Sequence, residues 1–484
     1  MRQTLLIILI ACTIASHAQI TTQTFDIISG ASSSNPSCLA IYKSELYFQV
    51  QSIGLMHTDG VATPTPSSPP ADCGCSYLVG PMAELNGVLY AAGGNDASLY
   101  SFDGTGPAIR AYTLPNVPYW WPNTVCWLTP MNNKLYFTAT SKGGSYDLWA
   151  FDPITKEARI ISDDEVLSGS SCTIVPYKGK LYYGGARPMN GAGRTLYAYD
   201  PVTDTSTDLV PGNYYINPLN MCEYNGILYF SASDSVTGKY KLFTYDFTNP
   251  PKAIPGNYFI DPNAVLGKFG GFYGYIYFSA SDGTSAAQLF RYNIATQAVS
   301  LYQTIYPGNN ASPDHFIQYG LNLYFRATNS TNGTELWSLD GINPPKLFSD
   351  INPGSNGSNI EYPIVFNNSL FFVATDPTKG RELYKITDPK AGINSIAFHG
   401  TVSISPNPAH NTATLSIDVK QSQTLAISIT DMQGSIVYTV PAKEYAANKH
   451  SITMPLQSLS AGTYFYRISD NSGSLLASGK LAKE

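Results

Sequence analysis

Asn322-Leu323-Tyr324-Phe325-Arg326-Ala327, followed seven residues later by Glu335-Leu336-Trp337-Ser338-Leu339-Asp340, is the stretch on which the fold turns. Flanked by Asp314 to Tyr319 before it and Pro345 to Phe348 after it, it reads as four short strands separated by turn residues. The same pattern runs through most of the chain. Leu46-Tyr47-Phe48, Leu89-Tyr90, Leu135-Tyr136-Phe137, Leu181-Tyr182-Tyr183, Leu228-Tyr229-Phe230, Ile276-Tyr277-Phe278, Leu323-Tyr324-Phe325 and Leu370-Phe371-Phe372 start 43 to 48 residues apart. A second pair follows each, from Leu55-Met56 and Leu99-Tyr100 to Leu336-Trp337 and Leu383-Tyr384. An acid or Asn comes soon after: Asp59, Asp103, Asp152, Asp200, Asp246, Asn293, Asp340 and Asp388.

A period of this length with several strands per unit predicts an all-β protein built as an eight-bladed β-propeller over residues 19–390. Each blade buries both faces against its neighbours, so its strands carry apolar and aromatic runs rather than one clean apolar face. The recurring Leu and aromatic positions are core residues on that reading, and the recurring Asp caps a turn with its side chain. The last unit has its Leu370 and Leu383 strands but no fourth strand before residue 391. Thr24-Phe25-Asp26-Ile27-Ile28-Ser29-Gly30 resembles Pro345 to Ile351, the fourth-strand segment one unit earlier. An N-terminal strand completing the last blade would lock the ring and cover its edges.

Charged residues make up 13% of the 484, about half the usual ~25%. Aromatics also reach 13%, and 40 Gly with 33 Pro are spread along the chain, as many short strands and tight turns require. A net charge of −6 gives no electrostatic reason to bind nucleic acid or an anionic membrane. Residues 1–18 read as a signal peptide: Arg2, then an apolar run from Thr4 to Ile14, then Ser16-His17-Ala18 with cleavage after Ala18. Leu9-Ile10-Ala11-Cys12 also has the form of a lipobox, though eleven residues make a very short leader. No other segment is apolar and long enough to be a transmembrane segment. After a linker at 391–400, residues 401–484 alternate cleanly (Leu415, Ile417, Val419; Ile427, Ile429) and predict a small immunoglobulin-like β-sandwich.

That C-terminal segment resembles the type A sorting domain of type IX secretion. The resemblance lies in Ser405-Pro406-Asn407-Pro408, in Ile429-Thr430-Asp431-Met432-Gln433-Gly434, in Leu459-Ser460-Ala461-Gly462-Thr463-Tyr464 and in Gly479-Lys480-Leu481, in that order. Pro406, Asn407, Pro408, Asp431, Gly434, Gly462, Tyr464 and Lys480 are the sorting-signal positions it implies. The resemblance implies the type IX machinery as partner and a secreted or outer-membrane-surface location in a Gram-negative bacterium, often with attachment to lipopolysaccharide. The repeat region resembles the ELWxxDGT repeat family. Glu335-Leu336-Trp337-Ser338-Leu339-Asp340-Gly341 and Asp350-Ile351-Asn352-Pro353-Gly354-Ser355 carry that likeness, which fades toward the first two units.

Little in the repeats points to catalysis. There is no His-x-x-x-His, no metal-spaced Cys/His cluster and no Gly-x-Ser-x-Gly, so neither a metal nor a cofactor is expected. Asp163-Asp164-Glu165 lacks the alternating oxygen ligands of a calcium loop and reads as a solvated turn. Cys38, Cys73, Cys75, Cys126, Cys172 and Cys222 form an even set that would permit one or two disulfides near the early units in an exported protein. The best binding candidates are aromatic loops between blades: Tyr119, Trp120 and Trp121; Tyr214 and Tyr215; Tyr258 and Phe259. Flat aromatic faces suit sugar rings, although the same residues could plug gaps between blades. The expected function is a non-catalytic binding or adhesion module for glycans or proteins. The alternative is a polysaccharide lyase or glycosidase on the same scaffold, for which His315 and the tyrosines are the available bases.

Overall fold

Leu323 and Phe325 are fully buried, as is Tyr324 between them, although Tyr324 points the other way. The computed structural model in which they sit describes residues 20–388 and 400–484. It leaves out internal segments at 51–52, 68–81, 94–97, 107, 116–124, 141–145, 163–173, 187–193, 211–215, 235–236, 262–267, 284–285, 295, 321, 342, 420–421, 432–435, 447 and 470–474. The described residues form strands and no helix. From Thr21 to Thr387 they make eight four-stranded antiparallel sheets, which follow one another along the chain and are numbered here in that order. The seventh contains Asp314–Tyr319, Asn322–Asn329, Gly333–Leu339 and Lys346–Ser349.

Successive side chains of a strand face opposite ways, and here both ways are buried. Leu323, Phe325 and Ala327 join Tyr277 and Leu289 of the sixth sheet. Tyr324 joins Leu370, Phe372 and Tyr384 of the eighth. Leu46, Phe48 and Val50 of the first sheet likewise join Phe371 and Val373 of the eighth. A buried Leu or Phe contributes about 2 kcal/mol, so the repeated triplet binds each sheet to both neighbours. Gly270 and Gly271 mark where this packing is tightest: a Cβ would lie 2.6 Å from Phe316 at the first and 2.1 Å from Tyr224 at the second. The first strands of successive sheets touch in order, and Glu361–Phe366 of the eighth touches Pro36–Tyr42 of the first, so the contacts return to their start.

The eighth sheet takes one strand from the other end of the chain. Thr21–Phe25 pairs with Gly380–Thr387, with Thr24 opposite Tyr384 and Phe25 opposite Leu383. The strand stops at Phe25, not at Gly30 as the sequence resemblance suggests. The residues after it form a loop held by Glu382, which has no exposed surface. Its carboxylate accepts from the Ile27 and Ser34 N–H groups at 3.1 and 2.9 Å and from the Ser34 hydroxyl. Glu335 does the same one sheet earlier, accepting from Ile351 and Asn352 N–H and from Ser358. Gln288 and Lys241 hold their own inter-sheet loops from the equivalent position before Leu289 and Leu242. The recurring acid caps the next turn. Asp59, Asp152, Asp200 and Asp246 each accept from the N–H two residues on, at 2.8 to 2.9 Å. The Asp388 N–H donates to the Tyr319 hydroxyl.

At the C-terminal end, Gly400–Ser405, Thr412–Val419 and Asn448–Pro455 form one sheet. Ile436–Tyr445, Gln423–Thr430, Gly462–Ser469 and Leu475–Lys483 form another. Leu415 and Ile417 of the first meet Leu425, Ile427 and Ile468 of the second in one core.

Glu382→Ala leaves two N–H groups unsatisfied and should cost about 3 kcal/mol in urea unfolding. Burial raises the Glu382 carboxyl above its ordinary 4.5, against the pull of its hydrogen bonds. The stability attached to a raised carboxyl is present in full below its unfolded-state value and is lost as pH climbs through its folded-state value. The wild-type advantage over the Ala variant should therefore be largest below pH 4.5 and narrow as pH rises above it.

Candidate functional site

The first strands of five sheets share a defect. Pairing slips between Ser37 and Ala40, Cys126 and Thr129, Leu219 and Cys222, Asp314 and Ile317, and Glu361 and Ile364. Each slip is a bulge, and in each one residue adopts left-handed backbone: Cys38 (φ 54), Trp127 (φ 58), Asn220 (φ 54), His315 (φ 54) and Tyr362 (φ 52). Non-glycine residues enter this region at a cost of about 1 kcal/mol, and such strain concentrates at functional sites. All five stand eight residues before the Leu of the next strand, and Lys268 holds the same place in the sixth sheet. They are near enough to feel one another around the ring, Cys38 acting on Tyr362 and Asp314 on Lys268. One end of the ring of first strands thus carries a thiol, an indole, an amide, an ammonium, an imidazole and a phenol.

The sixth to eighth sheets supply its charge. Asp314 is buried, with His315 Nδ1 2.9 Å from Oδ1. Arg326, directly across the ladder, donates from Nε and Nη2 to the two carboxylate oxygens at 2.7 and 2.8 Å. Burial pushes the Asp314 carboxyl up, but the bonds from His315 and Arg326 outweigh it and hold the group below the usual range. Arg326 also donates to Ile360 O at 3.2 Å. In the eighth sheet Arg381 pairs with Glu361 at 2.7 Å and donates to Asn359 O. Lys268 donates to Asp261 O at 2.7 Å, and burial lowers its affinity for a proton. An imidazole backed by an ionised carboxylate can accept or deliver a proton, and the neighbouring cations can meet an anionic or hydroxyl-rich ligand.

Of the aromatic loop residues, Tyr119, Trp120, Trp121, Tyr214 and Tyr215 lie outside the described residues. Tyr258 is a correction: it is buried, its hydroxyl donates to Ile254 O at 2.8 Å and accepts from Leu242 N–H, and its ring packs on Phe278. It closes an inter-sheet loop and offers no face to a ligand. Phe259, half-buried beside it, has the Lys239 and Lys241 ammoniums 4.0 and 5.6 Å from its ring centre. Cys38 is buried and Cys222 half-buried, and burial pushes the Cys38 thiol up to about 11. Cys73, Cys75 and Cys172, the side chain of Cys126, Asp163 to Glu165 and the expected signal peptide lie outside the described residues. No group of three or more His, Cys, Asp or Glu among the described residues could hold a metal. No helix there is long and apolar enough to cross a membrane.

Of the expected sorting-signal residues, Asn407 lies at the seam of the C-terminal sandwich. Asn407 donates to Lys480 O and accepts from Ala482 N–H, both at 2.8 Å, tying the entry of the sandwich to its last strand. Ala409 N–H then donates to Ala482 O, and Glu484 N–H to Ala409 O. Pro406 and Pro408 flank Asn407 at the surface, where Lys480 is also exposed. Gly462 opens the strand Gly462–Ser469. Tyr464 is buried, with its hydroxyl donating to Ser460 O at 2.9 Å. Asp431 is half-buried, and Gly434 lies outside the described residues.

Residues 403–481 match the family described as the secretion system C-terminal sorting domain. The sorting domain implies the type IX secretion machinery as a partner and a secreted or cell-surface location. No curated protein matches the chain. Among solved structures, a puromycin-hydrolyzing peptidase of Mycobacterium tuberculosis is similar at 12% identity and a TM-score of 0.45, over 70% of this chain and 57% of that one. A puromycin hydrolase mutant is similar at 14% and 0.46, over 71% and 59%. PorZ, an essential bacterial surface component of the type-IX secretion system of Porphyromonas gingivalis, is similar at 14% and 0.41, over 91% and 64%. The chain spans less than two thirds of the length of each of these.

Asp314→Ala strands the Arg326 guanidinium and should cost about 3 kcal/mol in chemical unfolding. Adding Arg326→Met removes the stranded charge, so the double variant should recover part of that loss.

Proposed function

We propose that residues 19–390 form an eight-bladed β-propeller that binds a glycan or protein ligand without turnover at the cell surface. Residues 1–18 act as its signal peptide, 391–400 as a linker and 401–484 as the type IX sorting domain. The count of eight blades is supported by the repeat of 43 to 48 residues and by first strands that touch in sequence and meet again at Pro36–Tyr42. Likeness to the ELWxxDGT family adds to it. The observation that supports the binding reading is the set of strained, chemically varied residues gathered at one end of the first strands, where Trp127 and Tyr362 are partly exposed and Cys38, Asn220, Lys268 and His315 are buried beneath the surface. A framework held constant with a variable polar rim is how binding scaffolds present a site. Phe259 under its two lysines and the loops of Trp120, Trp121, Tyr214 and Tyr215 would extend that rim with surfaces suited to sugars. Lipopolysaccharide is the candidate anchor of the exported protein.

The Asp314–His315 pair favours one second reading, a polysaccharide lyase with His315 as the base. A glycan array run beside a polysaccharide-degradation screen, on the chain from residue 20, separates the two. Binding without released sugar, weakened tenfold or more by Trp120→Ala/Trp121→Ala or by Phe259→Ala, supports the binding module. Unsaturated sugars released by wild type and not by His315→Ala would establish the lyase instead.

Deleting residues 401–484 should hold the protein in the periplasm. Normal arrival of the truncated chain at the surface or in the medium, followed by fractionation and immunoblotting, would overturn the sorting assignment.

A further inference from the structure

The strand Gly462–Ser469 turns Tyr464, Tyr466 and Ile468 into the core of the C-terminal sandwich, which leaves Phe465 and Arg467 on its outer face. Phe465 is exposed there, at 42% of its surface, but Arg467 is not. Its guanidinium lies 4.7 Å from the ring centre of Tyr273, and it acts electrostatically on Tyr224 as well. Burial is the largest influence on it and lowers its affinity for a proton. An outward-facing arginine on the same face as exposed Phe465 is half-buried here because something outside its own sheet partly covers it. Here that cover is aromatic and comes from the repeats.

Tyr224 and Tyr273 stand in neighbouring positions of the fifth and sixth sheets. Tyr224 ends the strand Leu219–Tyr224, and Tyr273 lies in the turn between Phe269–Phe272 and Tyr275–Ala280. Both are fixed before the arginine arrives. Tyr224 packs on Gly271, where a Cβ would collide with its ring at 2.1 Å, and bonds the backbone of Gly274. Tyr273 stacks on Phe272 with ring centres 3.9 Å apart, and a Cβ on Gly341 would strike it at 2.7 Å. The Tyr273 ring makes a seat for a planar cation, which is the geometry of a cation–π contact, and Tyr224 is close enough to feel the same charge. The turns lie at the far end of the first strands from the bulges. Leu219 and Asn220 begin the strand that Tyr224 ends, about 15 Å away at ~3.3 Å per residue.

We propose that the sorting domain docks on the turn face of the repeats, pinned by Arg467 over the ring of Tyr273. In that arrangement the domain lies at the opposite end of the first strands from the bulges. Removal of the domain then uncovers a second, aromatic face.

The test compares wild type, Arg467→Glu and Tyr273→Ser, each as the chain from residue 20, by hydrogen–deuterium exchange and small-angle X-ray scattering. Arg467→Glu should speed exchange at the turns around residues 224–226 and 272–275 and enlarge the radius of gyration. Strands 412–419 and 462–469 should keep wild-type protection. Tyr273→Ser, made on the other side of the contact, should enlarge the molecule equally. Arg467→Lys, which keeps the charge and loses the plane, should fall between. Unchanged exchange and size in both variants would overturn the proposal. So would loss of protection in the sandwich strands with Arg467→Glu when Tyr273→Ser leaves the size unchanged, since Arg467 would then serve its own domain alone.

Discussion

No sheet in the repeat region can bury its own two faces. Each Leu-aromatic strand sends alternate side chains to opposite neighbours, as Leu323 and Phe325 go to the sixth sheet and Tyr324 to the eighth. Burial is worth about 2 kcal/mol per large side chain only if a neighbour stands on that side. A row of such sheets has two raw ends, and each raw end forfeits one face of its core. Joining the ends removes the loss, which is why Leu46, Phe48 and Val50 close on Phe371 and Val373. The remaining edge is covered by Thr21–Phe25, and Glu382 fastens the loop that follows. The same requirement explains a carboxylate with no exposure at all. Glu335 and Glu382 satisfy backbone donors where a chain crosses between sheets and no ladder can reach.

Stacking of this kind uses up the apolar positions and frees others. The residue at each first-strand bulge varies from Cys38 to Trp127, Asn220, His315 and Tyr362, although Cys38, Asn220 and His315 are themselves buried. Constancy in the triplets and variety at the bulges are two sides of one division of labour. Charge follows the same division. Asp59 is an exposed turn cap and Asp152 and Asp200 half-buried ones, held below the usual carboxylate range by N–H donors, while Asp314 is buried and held ionised by Arg326 and His315. The first kind is local carpentry. The second survives burial only through specific partners, as a buried carboxylate must.

The C-terminal sandwich has a different economy. Its core closes within itself, from Leu415 and Ile417 to Ile427 and Ile468, and its entry is stitched to its last strand through Asn407. Arg467 is the exception, an outer-face side chain whose surroundings belong to Tyr224 and Tyr273.

The sequence by itself determined what depends on neighbours along the chain. The all-β class, the burial of the Leu-Tyr-Phe triplets, the turn-capping Asp and the sorting segment could each be read there, because strand alternation and Asx turns act over two to four residues. The N-terminal completion of the last sheet was legible as a resemblance, though its end at Phe25 was not. Glu382 decides that end from more than 340 residues away. Only the tertiary structure decided that Tyr258 is core while Phe259 beside it is half-buried, since both look alike in an aromatic loop. It alone placed the bulge residues, whose common spacing of eight before a Leu carries no common residue type. A left-handed backbone is imposed by the slip between two strands, and the partners of Asp314 and Arg467 are brought by packing across sheets. Neither leaves a local mark in the order of the amino acids.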